Sequence, residues 1–129
     1  MKWDEQAERL RRKAAGDEEA MTALLVVSAV PDEVIGFHAQ QAVEKLLKAL
    51  LSHRRVAFRR THDLTELLDL LASDGVTVPQ EIAEVRRLGP YAAEFRYEDI
   101  PGEVAEPFDR HWAADCVERT RKWVESLFS

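Results

Sequence analysis

The chain has 129 residues, 46% hydrophobic and 33% charged, with a formal net charge of −6; this is the make-up of a globular domain long enough to bury a core without metals or disulfides. Its single cysteine, Cys116, excludes an internal disulfide framework and a cysteine-rich zinc site, and the acidic balance argues against a protein that coats itself with nucleic-acid phosphate. Charges run throughout MKWDEQAERLRRK, and the longest apolar runs are too short to span a bilayer. A single domain over residues 1–129 and a cytoplasmic location are the expectations.

Taken in order, the elements are helical. Trp3, Ala7, Leu10, Ala14, Asp17, Met21, Leu24 and Ser28 step by four and three, which predicts a long first helix from Lys2 to Val30. Gly16 and Asp17 suggest a kink or polar layer midway, and Pro31 ends the run. A second helix is predicted from Asp32 to His53. Ile35, Ala39, Ala42, Leu46 and Leu50 form its apolar stripe, widened by Val43, Leu47 and Leu51. His38, Gln41, Lys45 and Lys48 form a second, polar stripe, and Glu44 stands at i, i+4 from Lys48.

The third helix is predicted from Asp63 to Ser73, with Asp63 and Glu66 at capping-box spacing, Thr61 as a second cap candidate and Gly75 as its stop. Val76–Val78 is a connector, because a lone three-residue strand would have nothing to pair with. Pro79 suits the first position of a further helix whose Ile82, Val85 and Leu88 face inward, until Gly89–Pro90 breaks or kinks it. The last helix is predicted from Glu103. Phe108, Trp112, Cys116, Arg119 and Trp123 form one stripe, flanked by Ala113, Val117, Thr120, Val124 and Leu127. With no strand signal, the fold class is all-α, a helical bundle.

The charge is unevenly spread. HRRVAFRRTHDL, residues 53–64, carries four arginines and two histidines. Arg55, Arg59 and Arg60, together with Lys45 and Lys48 of the second helix, make a phosphate-sized cationic patch, and Phe58 offers a ring for a base to stack on. Arg96 and Tyr97 complete the patch if their turn lies nearby. The bland reading of the same residues is a solvated connector. No phosphate-cradling glycine loop or HExxH is present, so neither a metal nor a cofactor is expected. Cys116, on an inward stripe, reads as a buried thiol rather than a nucleophile. Asp17 lies on the apolar seam of the first helix and needs a partner there.

FHAQQAVEKLLKALL, then THDLTELLDLL, then YAAEFRY, resemble the HEPN family in order, spacing and residue type. The likeness covers nearly the whole chain. FHAQQAVEK, residues 37–45, is its most specific part, and the HDL of residues 62–64 and the RY of 96–97 support it. Family members have proline after the RY pair, where this chain has Glu98 and delays proline to Pro101. The resemblance implies an up-and-down bundle of four main helices with a short extra helix, assembled as a homodimer. It also implies association with a minimal nucleotidyltransferase, often as toxin and antitoxin.

Some HEPN members are metal-independent ribonucleases that use an arginine and a histidine with four to six residues between them. Arg55 and His62 meet that spacing, although so arginine-rich a chain supplies such a match by chance. An arginine would stabilise charge developing on a phosphoryl group while a histidine takes the proton of a ribose hydroxyl. Three functions follow: a non-catalytic module that binds a nucleotide or RNA end beside a nucleotidyltransferase, a metal-independent ribonuclease toxin, and a dimeric scaffold without a ligand.

Overall fold

The computed structural model describes residues 2–92 and 108–128, and among these only helices, turns and connectors occur. The helices are α1 (Trp3–Leu25), α2 (Asp32–His53), α3 (Leu64–Ser73), the single turn α4 (Gln80–Ala83) running into a 3-10 segment (Glu84–Ala92), and α5 (Arg110–Ser126). The all-α expectation holds. Arg96 and Tyr97 lie outside the described residues, as does the predicted start of the last helix at Glu103.

α2 is the central element, packed against α1, α3, α5 and the 3-10 segment. Pro31 in extended conformation precedes it, and its apolar stripe is sealed: Ile35, Ala39, Ala42, Val43, Leu47, Leu50 and Leu51 are all 0% exposed. α1 contributes Ala7, Ala14 and Met21, seven residues apart, so that small side chains let it lie along α2. α3 adds Leu64, Leu67, Leu68 and Leu71, and Ile82, Val85 and Leu88 close the core from the α4 side as their spacing predicts. Gly36 is where the 3-10 segment comes closest. A Cβ there would stand 2.7 Å from Cδ1 of Tyr91, whose ring lies 4.7 Å from that of Phe108.

Several details differ from the sequence reading. α1 ends at Leu25 instead of Val30, because Arg110 of α5 takes the carbonyls of Leu25 (3.1 Å), Val27 (3.2 Å) and Val30 (2.7 Å), as well as Asp32 Oδ1 (2.8 Å). The guanidinium thus supplies donors to carbonyls at the end of α1 and in the connection to α2, which the helices leave unpaired. α1 also runs without interruption through Gly16 and Asp17, whose carboxylate meets Lys45 of α2 and so needs no kink to reach water. On α5 the buried stripe is Ala113, Cys116, Val117, Thr120 and Val124, while Trp112 and Trp123 are only half-buried at its edges.

The ends of α3 and α2 turn the chain in the same way. After α3, Gly75 adopts φ +88°, its N–H bonds the carbonyl of Ala72 and that of Val76 bonds Leu71, a Schellman end. After α2 the same pair of bonds forms, Arg55 to Ser52 and Val56 to Leu51, but the residue at positive φ (+61°) is Arg55. Near it, the ring of Phe128 stacks on His53 at 4.3 Å and lies under the Arg11 guanidinium at 4.4 Å.

A buried carboxylate cluster on α2 as candidate functional site

The α1–α2 contact and the Schellman end of α2 bring the polar stripe of α2 against Asp17 on one side and the loop of residues 54–63 on the other. Two linked groups result. In the first, Asp17 pairs with Lys45, and His38 Nδ1 stands 3.6 Å from Asp17 Oδ1; the buried Nδ1 forms no hydrogen bond among the described residues.

The second group centres on Glu44, whose side chain is 5% exposed. Its Oε2 receives Lys48 Nζ at 3.0 Å, and its Oε1 receives Gln40 Nε2 at 3.1 Å and lies 2.7 Å from His62 Nδ1. Gln40, wholly buried, also donates to the His62 carbonyl at 3.2 Å, and its own Oε1 accepts from Gln41 at 2.7 Å. A buried carboxylate with three donors around it has its desolvation offset by charge-assisted bonds. The His62 ring that it holds is 63% exposed.

His62 is presented by the entry into α3. Asp63 caps that helix by accepting from the Glu66 N–H at 3.2 Å, and the Asp63 N–H donates to Thr61 Oγ1 at 3.0 Å. Only this half of the predicted capping box forms. The Glu66 carboxylate turns instead to Arg59, which donates from Nε at 2.9 Å to both oxygens and from Nη2 at 2.7 Å.

The patch residues therefore divide. Lys45 pairs with Asp17, Lys48 with Glu44 and Arg59 with Glu66. Lys48 Nζ also lies 5.8 Å from the centroid of Phe58, so that ring is partly engaged from within. Arg54 donates to Asp74 Oδ2 at 2.6 Å and to the Asp74 carbonyl at 3.2 Å. Arg55 stands 3.9 Å from Asp4, both well exposed, and Arg60 is exposed with no ion pair among the described residues. Arg55, Arg60 and His62 are thus the cationic or protonatable groups of the loop most open to a ligand. Among the described residues no three histidine, cysteine or acidic side chains converge as metal ligands.

Sequence reasoning recognised Glu44 only as a partner for Lys48 and gave no role to Gln40. The available signal was their place: Gln40 and Glu44 lie i, i+4 beside Ala39 and Val43, inside the apolar sector of α2. Cys116 behaves as expected. It is fully buried, and burial pushes its thiol up to about 12, so no nucleophilic thiolate forms near neutral pH. A separate open groove of about 540 Å³, lined by Ala15, Glu18, Glu19, Thr22, Ala23 and Arg121, shares none of the cluster's residues.

No curated protein sequence matches the chain. Among solved structures, an archaeal HEPN homologue is similar at a TM-score of 0.56 and 23% identity, over 98% of this chain and 95% of that one. The family model for the HEPN domain matches residues 7–127. The match takes in all of α2 through α5 and most of α1, so the chain belongs to the HEPN family.

Proposed function

We propose that this HEPN chain binds the phosphate of a nucleotide or an RNA end at the loop of residues 54–63, as a homodimer that acts with a minimal nucleotidyltransferase in a toxin–antitoxin pair. The observation that carries the reading is the exposure of Arg55, Arg60 and His62 along the loop that joins α2 to α3. Two of them are permanent donors for phosphate oxygens, and the half-buried Phe58 lies in the same loop. Lys45, Lys48 and Arg59 belong to the same patch, each already neutralised by an acid, so the long-range field is weak and contact is local. Arg96 and Tyr97 belong to the same proposal through their place in the family-like RY pair. Val26 (84% exposed) and Val27 (41%) give a second copy or partner apolar surface to cover at the end of α1.

A second reading, metal-independent RNA cleavage by Arg55 and His62, is favoured by one contact. His62 Nδ1 lies 2.7 Å from a buried carboxylate while the ring is open to solvent, the arrangement of an oriented proton acceptor.

One set of variants tests both. Fluorescence anisotropy with a 5′-phosphorylated, 3′-labelled short RNA is expected to show weaker binding for Arg55→Ala and Arg60→Ala, with the log–log salt slope reduced by about one per lost phosphate contact. Binding that is indifferent to both substitutions and to salt would sink the first reading. Cleavage of the same RNA in EDTA that disappears in His62→Ala and Arg55→Ala supports the second, and cleavage unchanged in both removes it.

A further inference from the structure

His62 is held at two points from α2, and the chemistry of those contacts decides which of its nitrogens carries the proton. Glu44 Oε1 accepts at 2.7 Å from the ring, and Gln40 donates at 3.2 Å to the backbone carbonyl of the same residue. Each other neighbour of Glu44 is a donor: Lys48 Nζ has nothing else to offer, and Gln40 Nε2 is an amide NH₂. A carboxylate so placed is acceptor-only, so the bond to His62 requires Nδ1 to be the donor. The neutral ring is then the Nδ1–H tautomer, the reverse of the one that free histidine prefers in water. Nε2 is left with a lone pair on the 63%-exposed ring.

We infer that Glu44 is a positioning residue for His62: from inside the bundle it fixes the tautomer and orientation of the imidazole, so that Nε2 meets a ligand as a hydrogen-bond acceptor. This rests on His62 facing the ligand in either reading of the site. An acceptor in the same loop as Arg55 and Arg60, which only donate, suits a ligand that presents a hydroxyl as well as a phosphate. Lys48 completes the device. It compensates the Glu44 charge within the bundle, and its side chain, 12% exposed, cannot swing out to replace an arginine without leaving that carboxylate uncompensated.

The consequence can be tested without any ligand. In Glu44→Gln the side chain keeps its size, but Lys48 can only donate and so draws the amide oxygen to itself. The NH₂ then occupies the position of Oε1, repels the Gln40 NH₂ that donated there, and meets His62 Nδ1 as a donor. Nδ1 must accept, and the proton moves to Nε2. In Glu44→Ala both constraints vanish and the ring reverts to its preference in water.

Long-range ¹⁵N–¹H correlation spectra of the imidazoles, above the pH at which they are charged and assigned with His62→Ala, read the tautomer directly. The expected result is Nδ1–H in the wild type and Nε2–H predominating in both Glu44 variants. Circular dichroism checks that each variant is folded. Nε2–H in the wild type, or Nδ1–H retained in both variants, overturns the inference. The functional arm uses the RNA assays above: Glu44→Gln is expected to lower binding or cleavage by about ten- to a hundred-fold, the usual scale for losing an orienting partner. A switched tautomer with unchanged function, where His62→Ala does lose function, also overturns it. If His62→Ala changes neither binding nor cleavage, the site reading falls, while the tautomer comparison still decides whether Glu44 sets the ring.

Discussion

Gly36 is buried in α2 with the Tyr91 ring against it, 2.7 and 2.8 Å from where a Cβ would be. The ring is packed on Phe108 and cannot retreat freely. Gly36→Ala is therefore expected to destabilise the fold by about 1–3 kcal/mol through overpacking, despite the better helix propensity of alanine. Urea unfolding would show it, and a variant as stable as the wild type would contradict the packing. At this scale the sequence was only partly legible. The Glu44–Lys48 pair could be read from its i, i+4 spacing, and it forms at 3.0 Å. The partner of Lys45 could not, because Asp17 reaches it from a different helix, across a gap in sequence that no periodicity spans. The polar stripe of α2 looked cationic because its neutralising acids come from inside α2's apolar sector and from α1.

α2 shows what makes an element readable: Pro31 before it, an apolar stripe through it, and observed bounds of Asp32–His53 that match the reading. α1 was misread at its end because Val26–Val30 is apolar and holds no glycine, while the residue that stops it, Arg110, lies on α5. That one side chain joins the α1–α2 connection to the start of α5, just after the Asp109 cap, whose Oδ1 accepts from the His111 N–H at 2.9 Å. Arg110→Ala leaves several carbonyls without a charged donor and is expected to lower stability by about 2 kcal/mol. It should also speed amide exchange in residues 26–32 more than in α3. Arg110→Lys should recover little, since one ammonium cannot span three carbonyls and Asp32. Uniform loss of protection across all the helices would argue against this local role.

For the whole molecule, ionisation couples the α4 side of the core to pH in two directions. Arg119 of α5 donates to Glu84 at 2.7 Å and holds its carboxyl below the ordinary value of 4.5. A carboxyl with a lowered folded value contributes stability above 4.5, and this is lost as pH falls through the folded value. Glu84 is a third exposed, so the screened contribution is small. Cys116 acts at the other end: its thiol is raised from 9.0 to about 12 by burial, so the unfolded chain ionises first and stability falls as pH rises above 9.0. Urea midpoints against pH should thus form a plateau that declines on both sides. Arg119→Gln should flatten the acid limb, and Cys116→Ala should flatten the decline between pH 9 and 10. Limbs unchanged in these variants would assign the pH dependence to other groups. The fold as a whole was legible because helical period and helix punctuation are local signals. The site was not, because its carboxylates act across elements.

The left-handed turn at Arg55 sets two kinds of selection against each other. Its twin after α3 uses glycine at the same position, where no Cβ crowds the backbone. A screen that rewards thermal endurance alone would therefore favour glycine at residue 55 as well, and in doing so would discard one of the exposed guanidinium groups of the loop after α2. Endurance and the loop's cationic chemistry thus pull residue 55 in opposite directions, one through its backbone and the other through its side chain.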